Sequence, residues 1–307
     1  MKRRLLVLLM LIMLLIGCAK EEASGTPYRV AVITMEQGGE YWGKMKNGAR
    51  SARLETGLEL EFMAPVEEGD YQNQIQLIKK AVDQNFDGIV IAPSNAVALD
   101  EEIRLARDKG LKIVYAGAQT LSDLADFSVL PDYQSMSQGI VATQFKQTKF
   151  KDVHALIVAS LSYNSGMVML SEGIKEALEQ ENEVRSVTVL FENESRTSLE
   201  EYFQEHPEVN MVFALDENIA SDMLSCKVIP AYLIAFGTTL NEIQALEQGR
   251  IDSLVVVDTF NMGYRAVMAV FQLLSGQKPV KKPVNYVLVS KQTLFAEENQ
   301  KILFIGQ

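Results

Sequence analysis

The sequence predicts an α/β protein made of two doubly wound units, each with a mostly parallel sheet between layers of helices. Short runs of β-branched and other apolar residues alternate with longer stretches of helical periodicity, and runs such as residues 88–92 (Gly-Ile-Val-Ile-Ala) are apolar without interruption. Uninterrupted apolar strands are buried on both faces, which is typical of parallel sheets covered by helices. The chain of 307 residues is also long enough for two domains that each bury a core.

The first unit is predicted to contain short strands joined by crossover helices. The strands are residues 29–34, 58–62, 88–92, 112–115 and 127–130, and the helices lie near residues 41–56, 71–84 and 95–109. Each helical stretch is long enough for a right-handed crossover between parallel strands. We expect Asp70 and Ser94 to cap the second and third helices, and Gly57 and Gly110 to end the first and third.

The second unit is predicted to begin with a helix over residues 133–147. Strands follow at residues 153–159, 184–191, 209–214 and 231–236, with helices near 165–181, 197–205, 217–225 and 240–248. A further strand (254–257), a helix (261–274) and a last strand (284–289) have no βαβ unit of their own. We therefore expect these last elements to dock on the two existing sheets.

The N-terminus has the pattern of an export signal. Lys2, Arg3 and Arg4 precede an apolar run over residues 5–16, which is too short to span a membrane core that needs ~20 helical residues. The run ends in Leu15-Ile16-Gly17-Cys18, which resembles a bacterial lipoprotein box. The resemblance implies that residues 1–17 are removed, that Cys18 is lipidated at the outer face of the cell membrane, and that residues 18–26 form a tether. A plain signal peptide or a membrane anchor with an incidental cysteine is the alternative.

Composition and motifs exclude several function classes. The net charge of −11 and pI near 4.9 argue against a surface that tracks nucleic-acid phosphates. Two Cys and two His cannot build a typical zinc site, and no Asp-x-Asp-x-Asp-Gly loop indicates calcium. The sequence also lacks the dinucleotide, P-loop, Gly-x-Ser-x-Gly and His-Glu-x-x-His motifs. We therefore expect no catalytic residues, no cofactor and no metal.

Several short motifs occur in an order that resembles a known family. They are Tyr41-Trp42 after the first strand, Pro93-Ser94-Asn95 after the third, Ser171-Glu172-Gly173-Ile174, the segment 212–218 ending in Asp216-Glu217-Asn218, Ala235-Phe236-Gly237 and Gln248-Gly249-Arg250-Ile251. Over about residues 28–292 the chain resembles the periplasmic sugar-binding proteins of ABC transporters, of the ribose-binding-protein type.

The resemblance implies a type I periplasmic-binding-protein fold. Its two lobes would comprise residues 27–131 plus 258–283 and residues 132–257 plus 284–307, joined by a three-segment hinge near Pro131, Val257-Asp258 and Pro283. The ligand would lie between the lobes, beyond the carboxyl ends of the strands. Ligand-stabilised closure of the lobes would be the mechanism.

Positions that grip sugar hydroxyls in this family hold different residues here. Gly117-Ala118 stand in place of an Asp-Arg pair, and Val168, Gly237 and Val257 in place of other polar partners. Each unpaired buried polar group costs ~1–3 kcal/mol, so an ordinary pentose or hexose site is not favoured. The remaining candidate ligand contacts are Tyr41, Trp42, Ser94, Gln119, Tyr163, Asn164, Asp216, Thr238, Thr239 and Asp258.

Some of these candidates also have structural interpretations. Trp42 could be packed under the first loop, Ser94 and Asp216 could be helix caps, and Asp258 could make a hinge hydrogen bond.

Two hypotheses of different classes follow. The first is a lipid-anchored solute-binding protein that delivers a small sugar-like, polar or aromatic ligand to an ABC permease. The alternative is a ligand-sensing subunit that partners a membrane sensor kinase. Such a subunit can lose high affinity for a sugar and still keep the fold.

Overall fold

The computed structural model describes residues 27–195, 197–228 and 230–305, which form two α/β lobes. The predicted signal peptide, Cys18 and the tether lie outside the described residues. Within the described residues, no helix combines the length and the apolar character needed to cross a membrane.

The first lobe contains a parallel five-stranded sheet with the order β2-β1-β3-β4-β5. Its strands are β1 (Arg29–Ile33), β2 (Glu59–Met63), β3 (Gly88–Ile91), β4 (Lys112–Ala116) and β5 (Phe127–Val129). Its helices are α1 (Glu40–Thr56), α2 (Tyr71–Asp83) and α3 (Asp100–Asp108). All residues of β3 are buried, as the uninterrupted apolar run predicts for a central parallel strand.

The second lobe contains a six-stranded sheet with the order β11-β10-β9-β8-β6-β7, in which only β11 is antiparallel to its neighbour. Its strands are β6 (Val153–Ala159), β7 (Val184–Phe191), β8 (Met211–Ala214), β9 (Tyr232–Phe236), β10 (Ser253–Val257) and β11 (Tyr286–Ser290). Its helices are α4 (Tyr133–Gln147), α5 (Ser165–Leu178), α6 (Leu199–Glu205), α7 (Glu217–Ser225), α8 (Leu240–Gln248) and α10 (Glu297–Leu303). Helix α9 (Thr259–Leu274) returns to the first lobe, where it packs along α1 and against β4.

The segments that connect the lobes run side by side. Pro131 forms an isolated parallel bridge with Val284, whose amide donates to the carbonyl oxygen of Leu130 at 2.9 Å. The amide of Asp258 donates to the carbonyl oxygen of Asn285, also at 2.9 Å. The predicted docking of the last elements is thus confirmed, with β10 and β11 in the second sheet and α9 on the first lobe.

The prediction for the start of the third helix is wrong. Asn95 Oδ1 accepts hydrogen bonds from the amides of Val97 and Ala98, which makes a local turn, and α3 begins only at Asp100. Ser94 is not a helix cap, because its amide and hydroxyl both donate to Oε1 of the buried Gln74. The predicted cap at Asp70 is confirmed, since its carboxylate accepts from the amide of Asn73 at 2.9 Å.

Candidate functional site

A cavity of about 250 Å³ lies between the lobes, at the carboxyl ends of both sheets. The first lobe contributes residues from the β1–α1 loop, from α1 and from the β2–α2 loop. The second lobe contributes the starts of α5 and α7 and the ends of β9 and β10. Loops that follow parallel strands meet at one edge of each sheet, so two facing sheets enclose a site without any additional element.

One wall of the cavity is aromatic. Tyr41 and Trp42, at the start of α1, form an edge-to-face pair with ring centroids 4.8 Å apart and an interplanar angle of 71°. Tyr133 and Phe236 add rings from the second lobe. The Tyr133 hydroxyl donates to the carbonyl oxygen of Gly117 in the first lobe, so this ring is held in place across the hinge.

Carboxylates dominate the polar part of the lining. Glu36 and Glu68 come from the first lobe, and Asp216 and Glu217 from the second. A fifth carboxylate, Glu242, is 1% exposed and lies directly behind Gly237, whose added Cβ would be 2.2 Å from Glu242 Oε2. Among the described residues, no lysine or arginine side chain lines this cavity.

Asp216 joins two strand ends and begins a helix. Its Oδ2 accepts from the amide and hydroxyl of Ser160, at 3.0 and 2.7 Å, at the end of β6. Its Oδ1 accepts from the amide of Ile219 at 2.9 Å and so caps α7. Asp216 is therefore both a helix cap and part of the cavity lining.

Burial and mutual repulsion weaken the acidity of these carboxyl groups. Burial raises the pKa of Glu68 to about 8, and the charges of Asp216, Glu36 and Glu217 act in the same direction. The hydrogen bond from Asn218 opposes this rise. Burial, followed by repulsion from Glu217 and Asp216, raises the pKa of Glu242 to about 8, although hydrogen bonds from Thr239 oppose the rise. Burial also raises the pKa values of Glu36, Asp216 and Glu217.

Hydrogen bonds between the lobes hold the cavity closed. Asn164 Nδ2 donates to the carbonyl oxygen of Pro93 at 3.1 Å. The backbone amide of Ala96 donates to the carbonyl oxygen of Tyr163 at 2.8 Å. Across the opposite rim, Asn218 Nδ2 donates to Glu68 Oε2 at 3.2 Å. The structure is thus that of a closed form, in which residues of both lobes are bonded to one another beside the cavity.

The similarity to known proteins agrees with this geometry. A family model described as a periplasmic binding protein domain matches residues 30–278. The chain belongs to this periplasmic binding protein family. Among curated proteins, the D-allose-binding periplasmic protein of Escherichia coli (strain K12) is 25% identical over 159 residues, which are 52% of this chain and 49% of that protein. The match therefore spans about half the length of this curated relative.

Solved structures share the fold over most of the chain. GanP, a glucose-galactose binding protein from Geobacillus stearothermophilus, has a TM-score of 0.77 at 22% identity and covers 88% of this chain and 100% of its own. A carbohydrate transporter solute binding protein from Agrobacterium radiobacter, in complex with D-arabinose, has a TM-score of 0.78 at 20% identity, with coverages of 91% and 100%. At these identities the similarity establishes the two-lobed fold.

Five of the candidate contacts line the cavity of this binding protein. They are Tyr41, Trp42, Asn164, Asp216 and Thr238. Gly237 and Val257, which stand where the family resemblance implies polar partners, line it as well.

The remaining candidates lie outside the cavity lining. Ser94 is buried against Gln74, and Gln119 pairs through its backbone with the Ser165 hydroxyl at the lobe interface. Asp258 caps α9 through the amide of Asn261. Tyr163 reaches the carbonyl oxygen of Gly69, and Thr239 caps α8. The side chains of Ser94, Tyr163, Thr239 and Asp258 thus have partners within the protein, whereas Gln119 has its partner through the backbone.

Sequence reasoning missed several lining residues. Glu36, Glu68 and Glu217 were not among the candidates, nor were Tyr133 and Phe236. Glu36 lies shortly after β1, and Glu217 follows Asp216 shortly after β8. Their closeness along the chain to the carboxyl ends of strands is a signal by which they could have been predicted. Glu68 lies further from β2, and only the fold of the β2–α2 loop brings it to the cavity.

The stability of the ligand-free binding protein should fall as the pH rises from about 4.5 to about 8. In an unfolded chain Glu242 has the ordinary pKa of 4.5, whereas in the folded protein, where it is buried behind Gly237 within the second lobe, its pKa is about 8. The folded state therefore binds more protons between these values, and this stabilisation is complete below the lower pKa and lost on passing the upper one. Thermal melts across this range should show the decline.

A matched pair of variants isolates the contribution of Glu242. Glu242→Gln should flatten the decline in melting temperature, because the amide does not ionise and can still complete the capping box with Thr239. Glu101→Gln, at an exposed position on α3, should keep the wild-type decline. A melting temperature that stays level or rises over this pH range would contradict the electrostatic description of the site.

Proposed function

We propose that the protein is an extracytoplasmic, lipid-anchored solute-binding protein of an ABC importer, which captures a small ligand by closure of its lobes. The observation that carries this proposal is the cavity between the lobes, enclosed by an aromatic wall and held shut by cross-lobe hydrogen bonds. A volume of about 250 Å³ limits the ligand to a small molecule. Membership of the periplasmic binding protein family supports the same function.

Capture requires no bond to be made or broken. In the open form the carboxylates and aromatic rings of the cavity are exposed to water, and a ligand that contacts both lobes stabilises the closed form. Closure creates the cross-lobe bonds made by Asn164 and Asn218, and the adjacent connections near Pro131 and Val284 absorb the rotation. The closed form then presents both lobes to the permease together.

The membrane attachment rests on the N-terminal pattern. The charged residues 2–4, the apolar residues 5–16 and the box ending in Cys18 are consistent with export and lipidation. The names of the relatives support transport, since one is a D-allose-binding periplasmic protein and another is a carbohydrate transporter solute binding protein.

Lipidation can be tested by growing cells with a labelled fatty acid. The wild-type protein and the control variant Cys226→Ser should incorporate the label and sediment with membranes. Cys18→Ser should incorporate none and should keep its signal peptide. Label on the Cys18→Ser variant would contradict the proposed anchor.

Capture can be tested with Trp42, which is the only tryptophan of the chain and lines the cavity. Its fluorescence should change on titration with a ligand, and deletion of the gene should abolish high-affinity uptake of that compound by cells. Uptake that is unchanged by the deletion would contradict a role in import.

A further inference from the structure

We propose that the solute bound in this cavity is an organic cation, such as a protonated amine on a compact ring or chain, rather than a neutral sugar. The inference rests on the proposed capture function and adds the chemical class of the ligand. Four observations support it: the charge of the lining, its unpartnered acceptors, the aromatic wall and the arrangement of the carboxylates.

All side chains of the lining that can carry a charge at neutral pH are acids. Glu36, Glu68, Asp216 and Glu217 face one small cavity, and no basic side chain among the described residues lines it. The nearby Lys44 is 3% exposed and donates to the carbonyl oxygen of Leu303, while Lys46 donates to that of Gln37. These two lysines offset part of the negative charge, since Lys44 acts on Glu217 and Lys46 acts on Glu36. A neutral ligand would displace water from the acids that stay ionised without supplying a countercharge, which is costly in a buried site. A cation supplies the missing charge.

Two buried atoms of the lining lack a hydrogen-bond partner. Among the described residues of the cavity these are Thr238 Oγ1 and Glu217 Oε1. Thr238 is 6% exposed. A threonine hydroxyl both donates and accepts, whereas an ionised carboxylate only accepts, so the ligand must supply a donor to Glu217. An ammonium group supplies donors and carries the opposite charge.

The aromatic wall suits the same ligand. Tyr41, Trp42 and Tyr133 line the same cavity as the carboxylates of both lobes. An added Cβ at Gly39 would be 2.7 Å from Glu36 Oε1, 3.6 Å from Glu217 Oε2 and 3.7 Å from Trp42 Cδ1, which places both acids beside the indole ring. The faces of such rings attract cations, so the wall and the acids act together.

The arrangement of the carboxylates favours an organic cation over a metal ion. Within the described residues, no group of three or more acidic, His or Cys side chains has the geometry to hold a metal. Both carboxylate oxygens of Asp216 already accept hydrogen bonds, one from Ser160 and the other from the amide of Ile219. An organic cation with several N–H donors does not need such a group of ligands.

The protonation of the site provides an additional readout. Glu68 faces Glu36, Asp216, Glu217 and the amide of Asn218, and its pKa of about 8 means that it holds a proton at neutral pH in the closed cavity when no cation is present. In the open form Glu68 is exposed to water and ionised, and a bound cation favours the charged form of each acid it contacts. Closure around a neutral ligand at pH 7 should therefore take up a proton, whereas closure around a cation should not.

The test uses pairs of probes that differ in one group. Tyramine and tyrosol share a phenol ring and an ethyl chain that ends in an ammonium or a hydroxyl, and D-glucosamine and D-glucose differ in the same way at one ring carbon. The full-length protein is titrated with each probe, with Trp42 fluorescence and calorimetry in two buffers of different ionisation enthalpy as readouts. We expect at least one amine to bind about tenfold or more tightly than its hydroxyl partner, without the proton uptake that accompanies closure around the hydroxyl compound.

Matched variants locate the preference in the cavity. Glu68→Gln and Glu217→Gln should each reduce the affinity for the amine several-fold and leave the affinity for the hydroxyl partner nearly unchanged. Glu101→Gln, which removes the same charge from an exposed position on α3, should behave as wild type. Melting curves of the ligand-free variants show that each one is folded.

The remaining outcomes separate this inference from the proposed function. If D-glucose or tyrosol binds as tightly as its amine partner, the ligand class is wrong and solute capture stands. If calcium chloride alone changes Trp42 fluorescence and a chelator reverses the change, a metal occupies the site and the organic cation is excluded. If none of the amines or hydroxyl compounds binds and no uptake depends on the gene, the proposed function fails and the inference fails with it.

Discussion

Gly263→Ala should destabilise the first lobe by about 2 kcal/mol or more. Gly263 lies on α9 where this helix crosses α1, and an added Cβ would be 2.0 Å from the carbonyl oxygen of Met45. The reciprocal contact occurs at Gly48 on α1, whose Cβ would be 1.9 Å from the carbonyl oxygen of Phe260. Both obstacles are backbone atoms, so the two helices must move apart. The packing energy lost in this way exceeds the ~1 kcal/mol by which alanine is favoured over glycine in a helix.

The control for this prediction is Gly43→Ala, which lies on α1 like Gly48. An added Cβ at Gly43 meets no atom within 4 Å, so this variant should be neutral or stabilised by up to ~1 kcal/mol. Urea unfolding of Gly263→Ala, Gly48→Ala and Gly43→Ala measures all three free energies of unfolding. Equal stability of the three variants would mean that α1 and α9 do not pack as closely as described.

Asp216→Ala should destabilise the second lobe by about 3 kcal/mol. The substitution removes the cap of α7 and leaves the amide and hydroxyl of Ser160 without their acceptor at the end of β6. Asp216→Asn keeps one acceptor oxygen and relieves repulsion from Glu68, so it should lose much less stability. Differential scanning calorimetry of the two variants makes the comparison.

The two substitutions at Asp216 also separate structure from binding. Asp216→Asn should remain folded and should weaken the binding of an amine, because the site loses one negative charge. If Asp216→Ala proves as stable as Asp216→Asn, the hydrogen bonds from Ser160 and Ile219 do not support the strand ends.

Much of the fold follows from local patterns in the sequence. The uninterrupted apolar residues 88–92 predict the central strand β3, and residues 133–147 coincide with α4, whose cap is Asp132. The error at residues 95–99 shows the limit of periodicity. A single side-chain acceptor, Asn95 Oδ1, holds these residues in a turn, and the apolar pattern does not reveal such a competitor.

The site was harder to predict than the fold. Trp42 and Asp216 could be found because each follows a strand within a recognisable motif. Glu68 could not, since its position depends on the path of a long loop and on its bond to Asn218 in the other lobe. Ser94 and Asp258 are polar residues at strand ends, yet neighbouring backbone and side-chain groups bind them. Tertiary contacts decide which strand-end residues remain free to bind a ligand. Local sequence patterns do not reveal these contacts.

The central claim is that the lobes open to admit a solute and close around it. Spin labels at Val66→Cys, which is 72% exposed in the first lobe, and at Ser221→Cys, exposed on α7, report the distance across the cleft when Cys18 and Cys226 are replaced by serine. Pulsed electron paramagnetic resonance should give a long, broad distance distribution without ligand, and a short, narrow one with the probe that changes Trp42 fluorescence most. An identical narrow distribution in both samples would contradict the claim.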